Sequence, residues 1–121
     1  MSKEIWVCGE VLIDLIPRGE KKIAIVGGGP ANTAKALALL GFDSYFIDGI
    51  SSDAYGEKAK AELLYAGVNL KYANFTDKPT CTADVSLDSA GVASYVFAIE
   101  GSATFDFSHD WLPDPLEIKP A

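Results

Sequence analysis

The chain has 121 residues, 49% of them hydrophobic and 22% charged, with a formal net charge of −7. That length suits one domain able to bury a core, and the apolar share excludes an intrinsically disordered chain. The acidic balance leaves no electrostatic basis for binding nucleic acid or an anionic membrane surface.

The first run, "IWVCGEVLIDLI" at 5–16, is interrupted by Glu10 and Asp14. It lacks a basic leader and a cleavage site, and it is too short to cross a bilayer as a helix. A soluble, cytoplasmic protein is expected. Residues 5–8 read as a strand covered on both faces, and "KIAIV" at 22–26 as a second short strand. Cys8 and Cys81 lie in strand-like runs without C-x-x-C spacing; both read as buried thiols in a reducing compartment.

Three glycines, 27–29, lead into a helix expected from about Ala31, with Pro30 in the first turn, where its missing N–H costs nothing. Ala34, Leu37 and Ala38 share a face of this helix, and Gly41 ends it. "DSYFIDGI" at 43–50 returns as a strand. Asp53 is placed to cap a second helix that buries Ala59, Leu63 and Ala66 and closes at Gly67. This order predicts crossovers onto a parallel sheet.

Beyond Gly67 the pattern changes to strict alternation. In "TCTADVSL" at 80–87, Cys81, Ala83, Val85 and Leu87 face one way; "DSAG" turns the chain into "VASYVFAIE" at 92–100. The pair reads as an antiparallel hairpin, with Tyr95, Phe97 and Ile99 on one face and Val96 and Ala98 on the other. Both faces want cover. "LKYANF" at 70–75 is a further strand candidate. His109 stands alone as a surface residue, and the proline-rich tail "HDWLPDPLEIKPA" reads as a connection to more chain.

The glycine loop admits several readings. A dinucleotide site would use Gly27-x-Gly29 and Asp48 as the ribose acid, but Asn32 holds the third glycine's place and Pro30 removes a phosphate-facing N–H. A P-loop reading is weaker still, because no Gly-Lys-Ser/Thr follows the glycines. A plain strand-to-helix turn needs no ligand. A neutral polyol would suit Asn32, which offers a donor and an acceptor, and the N–H groups of Gly28 and Gly29. Asp14 is the second clue, because a carboxylate in an apolar run is costly unless something hydrogen-bonds to it; an exposed strand end is the plainer alternative.

"GEVLIDLIP" followed by "GGGPANTAKALALLG" resembles the PfkB/ribokinase-like carbohydrate kinases, most closely their fructokinase-like branch. Gly27, Gly28, Pro30, Asn32, Ala34 and Gly41 match the family's first signature, and the similarity runs on through "SDAYGEKAKAELLYAGV" to "GSATF". Ser51 stands where the family usually has glycine, and Ile99 where fructokinases often carry a lid arginine.

The resemblance implies a partial ribokinase-like α/β fold: a parallel sheet with flanking helices (1–67), antiparallel lid elements near 11–27 and 70–100, and a tail at 106–121. It implies that Asp14 and Asn32 hold sugar hydroxyls beside the Gly28–Gly29 backbone, with Phe97 closing over fructose or a similar sugar. It assigns ATP and Mg2+ to a full-length parent, whose catalytic aspartate and glycine-rich anion hole lie downstream. The 121 residues are therefore expected to be an N-terminal, sugar-binding part that binds neither cofactor, transfers no phosphate alone, and pairs as a homodimer through its lid. A non-catalytic polyol-binding or assembly module and a dinucleotide-binding module are the alternatives.

Overall fold

The computed structural model describes residues 3–121. Two small sheets and two helices form a layered α/β core, and a four-stranded sheet packs onto it through Ile13 and Val26. Strand β1 (Ile5–Cys8) pairs in parallel with β4 (Ser44–Ile47), pairing Val7 with Phe46 and Trp6 with Tyr45. After a break at Asp48, β5 (Gly49–Ser51) continues the same direction and pairs in parallel with β6 (Asn74–Thr76). The stretch expected to add to the lid near 70 therefore belongs to the core instead: Leu70 and Tyr72 are buried against it.

Helices α1 (Gly29–Leu39) and α2 (Ala54–Tyr65) cover one face of this sheet, with Ala31, Ala34, Ala59 and Leu63 packed on Val7, Phe46 and Ile50. Their ends form as the sequence suggests. Gly41 and Gly67 sit at φ 89 and 94, and each helix closes with paired bonds: Gly41 N–H to Ala38 O and Phe42 N–H to Leu37 O in α1, Gly67 N–H to Leu64 O and Val68 N–H to Leu63 O in α2. These are Schellman caps. The opposite face of the sheet carries Tyr45, Ile47 and Tyr72, against which Trp6, Trp111 and Ile118 pack. The tail thus folds back over the sheet, and Ala121 N–H donates to Glu4 O at 2.8 Å. Cys8 lies at the end of that loosely covered face and is exposed, while Cys81 is buried as expected; the expectation of two buried thiols holds for one.

The four-stranded sheet has the order β3-β2-β7-β8. Strands β2 (Leu12–Arg18) and β3 (Lys21–Gly27) form a hairpin around Gly19, at φ 65. "KIAIV" is therefore a lid strand, antiparallel to β2, and no member of the parallel sheet. Strand β7 (Thr82–Leu87) pairs in parallel with residues 13–15 of β2, and β8 (Ala93–Ala98) pairs antiparallel with β7. Pro17 is tolerated in β2 because pairing with β7 has stopped at Leu15. Every residue of β8 is exposed. The chain exposes 7332 Å² in all, against about 6,300 Å² expected for a compact monomer of its mass.

Candidate functional site

The three consecutive glycines have three separate causes. At Gly27 a Cβ would run into the Asp14 carboxylate, so glycine leaves that acid its place beside the end of β3. Gly28 precedes α1 at φ 103, and a Cβ there would stand 2.6 Å from the Glu10 carbonyl oxygen and 3.3 Å from Val11 Cα. Only glycine fits both the left-handed backbone and that approach. Gly29 has no atom within 4 Å of its would-be Cβ; it opens onto free space. Asn32, one turn into α1, is exposed on the same helix start, and its backbone N–H donates to Gly28 O at 2.9 Å.

Asp14 lies half-buried in the middle of the lid sheet. The register sets it level with Ile25 on β3 and Ala83 on β7, and Ala83 is level with Phe97 on β8. Residues level across strands share a face, so Asp14 and Phe97 look the same way, two strands or about 10 Å apart. Leu12, Cys81 and Ala83 make a buried floor on this face, and Tyr95 stacks on Phe97 with ring centres 6.0 Å apart. Among the described residues, donors reach Asp48 and Asp53 but none reaches Asp14. The fold thus brings Asp14, Gly28, Gly29 and Asn32 to one junction between lid and helix. Phe97 lies on the same face of that sheet as Asp14, two strands away, and is about half exposed.

Two further acids fix the surroundings. Asp53 caps α2, accepting from Gly56 N–H at 2.7 Å, and also accepts from the Thr80 N–H at 2.9 Å and hydroxyl at 2.6 Å. Burial works against its charge, but these hydrogen bonds outweigh it and hold the carboxyl below its usual range. Asp48, the acid a dinucleotide would need at its ribose, is fully buried. It accepts from Val11 N–H at 3.3 Å, Phe105 N–H at 2.9 Å and the Thr104 hydroxyl. Burial lifts it to about 6, with those hydrogen bonds and one from Gly49 N–H pulling the other way. An acid so enclosed offers no free oxygen to a ribose, and the dinucleotide reading loses its second half. The partners of Asp48 and Asp53 were not foreseen; Thr104 lies 56 residues from Asp48 and Thr80 lies 27 from Asp53, beyond the reach of any local pattern.

Among the described residues no three His, Cys, Asp or Glu side chains converge as a metal site would need, and Pro30 removes an N–H from the α1 start, where a phosphate would dock. Among the described residues, no helix is long and apolar enough to cross a membrane.

Comparison with known proteins finds a match between residues 2–117 and the model of the pfkB family carbohydrate kinases. A fructokinase of Klebsiella pneumoniae is 35% identical over 115 residues, which are 93% of this chain and 38% of that protein. The chain thus spans little more than a third of the curated relative's length. The structure of a fructokinase with bound ATP from Xylella fastidiosa superposes with a TM-score of 0.83 at 29% identity, covering 96% of this chain and 39% of that one. A fructokinase of Vibrio cholerae in a fructose, ADP and calcium ion bound form gives a TM-score of 0.79 at 28% identity, over 93% of this chain and 37% of that one. The fold is ribokinase-like, with the parallel α/β core and β lid described above.

Proposed function

The chain belongs to the pfkB family of carbohydrate kinases, and from that premise we propose that it supplies the acceptor-sugar half of an ATP-dependent kinase acting on a hydroxyl of fructose or a similar sugar. Asp14 and Asn32 hold sugar hydroxyls, the Gly28–Gly29 backbone lies alongside, and Phe97 caps the sugar from the lid. The observation that carries this reading is the Asp14 carboxylate: half-buried, without a protein donor among the described residues, and lodged where Gly27 leaves it room. A vicinal diol supplies the two donors such a carboxylate lacks. Positioning the acceptor is the first requirement of in-line phosphoryl transfer, which is dominated by placement and charge stabilisation. ATP and Mg2+, the donor side of that reaction, draw on residues other than those described here, and the chain by itself is proposed to be inactive and cytoplasmic.

The test is calorimetry with fructose in the longest protein that carries this sequence. Asp14→Ala removes charge-assisted hydrogen bonds worth about 1.5–3 kcal/mol, which is at least a tenfold loss of affinity; Asn32→Ala follows with a smaller loss. Two variants that bind fructose like the parent would overturn the assignment, and stabilisation by NAD(H) but by no sugar would favour a nucleotide site instead.

Homodimerisation through the lid is part of the same proposal. Tyr95, Val96 and Phe97 are each more than half exposed, and the chain shows about 1,000 Å² more surface than a compact monomer of its mass. An apolar patch of that kind marks an interface.

A further inference from the structure

Asp48 sits at the junction of the two layers. Residue 11 is where the chain leaves the core for lid strand β2, and residues 104–105 are where it has come back after β8. The two oxygens of one buried carboxylate bind both places: Val11 N–H and the Thr104 hydroxyl at Oδ2, Phe105 N–H at Oδ1. Phe105 is held there at φ 59, a backbone that a non-glycine residue adopts only when its surroundings impose it. The Val11 end leads straight into the sugar junction, because the Glu10 carbonyl beside it is the group that packs on Gly28.

We propose that Asp48 is a positioning residue that clamps both roots of the lid to the core and so sets where Asp14 and Phe97 stand over the acceptor site. This rests on the sugar-site reading only for its last step; the clamp itself stands on the hydrogen bonds. The ionised carboxylate accepts every bond. A protonated one keeps the Thr104 contact by donating to its hydroxyl, and then loses the weakest of the others, Val11 N–H at 3.3 Å. The titratable groups that face Asp48 are Cys8 at the end of β1 and Cys81 ahead of β7. Glu10 lies nearby as a like charge that reaches Cys81. Among the described residues, no lysine or arginine donates to the carboxylate. With the acid raised to about 6, the clamp is made at pH 7 and weakened at pH 5. Global stability moves in the opposite sense. A carboxyl whose folded value exceeds its unfolded one favours folding at low pH, and that contribution is lost as pH rises from about 4 through 6.

The experiment is NMR on the unmodified chain. Resonances of the Asp48 carboxyl, Val11 N–H and Phe105 N–H are expected to titrate together with a midpoint near 6, and the exchange protection of Val11 is expected to fall at least threefold from pH 7 to 5. Phe46 N–H, bonded to Asn69 O within the core, serves as the unmoved reference. Asp48→Asn should lower protection at both roots at least tenfold at pH 7, and weaken fructose binding at least threefold. Root amides that ignore the Asp48 titration, or a variant with loosened roots and unaltered fructose affinity, would overturn the proposal. If the longest protein that carries this sequence binds no fructose at all while the root amides follow Asp48, the sugar-site reading fails and the clamp stands.

Discussion

Replacing each of the three neighbouring glycines by alanine should give three different results. At Gly28 the new Cβ meets backbone, 2.6 Å from Glu10 O and 3.2 Å from its carbon, at φ 103. Backbone cannot swing aside as a side chain can. The left-handed conformation costs about 1–3 kcal/mol for a residue with a Cβ, and overpacking against fixed backbone adds about 1–3. Gly28→Ala is therefore expected to lose about 2–6 kcal/mol, a large part of a small domain's stability. At Gly29 nothing lies within 4 Å, and alanine should stabilise by about 0.4–1 kcal/mol through the unfolded chain. Gly27 is the informative case. Its Cβ collides with the far end of the Asp14 side chain, while Asp14 Cγ at 3.3 Å and Leu12 Cδ1 at 3.4 Å are merely tight. Turning Asp14 out of the way costs about 0.5–1.5 kcal/mol, so Gly27→Ala should stay folded with its acid displaced. Urea unfolding reads the first quantity and fructose calorimetry the second. Gly27→Ala is expected to lose sugar affinity at least tenfold with stability within about 1.5 kcal/mol of the parent, while Gly29→Ala keeps both. Equal fructose affinity in Gly27→Ala and Gly29→Ala would refute the role given to Asp14, and an undiminished stability in Gly28→Ala would refute the packing of Glu10 on the glycine turn.

Asp53→Ala removes a helix cap, worth about 0.5–2 kcal/mol, and leaves the Thr80 N–H without its acceptor at about 1–3 more; urea unfolding should show a loss of about 1.5–5 kcal/mol. Because the folded Asp53 carboxyl is held low, its contribution is present above about pH 4 and lost as the solution is acidified further. A parent and an Asp53→Ala variant with parallel stability curves between pH 5 and 2 would refute this. Val96→Asp should shift the chain to monomer in sedimentation without unfolding it, since Val96 is 70% exposed; Val85 is buried, and Val85→Asp should instead prevent folding. The 121-residue polypeptide, freed of host kinases, should not transfer phosphate from ATP to fructose in a coupled assay; turnover would refute the division between acceptor and donor halves.

Helix ends were the most legible part of the chain because they are written in single residues. Gly41, Gly67 and Asp53 each do locally what their chemistry favours, and the alternation in 80–99 marks the lid hairpin, whereas the face shared by Phe97 and Ala83 follows only from the strand register. The β2–β3 hairpin was harder. "EVLIDLI" and "KIAIV" are apolar on both faces, since one side covers the core through Ile13 and Val26 and the other carries Leu12 and Ile25, so no period of two marks them as paired. Their two-residue connection, Gly19–Glu20, gave a turn signal weaker than Asn-Gly. The strand 43–50 read as continuous, yet it breaks at Asp48, because that residue turns its carboxylate to the lid roots.

The contrast between the two acids shows where sequence reasoning stops. Asp14 and Asp48 both stand in apolar runs, and both are expensive there unless something hydrogen-bonds to them. In isolation each is an equally good candidate for a ligand. What separates them is who supplies the donors. Asp48 has them from its own chain, drawn from residues 11, 49, 104 and 105. For Asp14 no donor is found among the described residues; it has instead a glycine that keeps its place clear, an exposed asparagine and an open helix start nearby. A buried acid satisfied by its own fold positions structure. An acid with room made for it and no protein donor among the described residues is, on the proposed reading, completed by sugar hydroxyls beside a Gly28–Gly29 turn that Pro30 makes ill suited to a phosphate. The two roles are coupled through Glu10 and Val11, which Asp48 holds and against which Gly28 is packed. Affinity at Asp14 is therefore expected to depend on the ionisation of an acid that never touches the sugar.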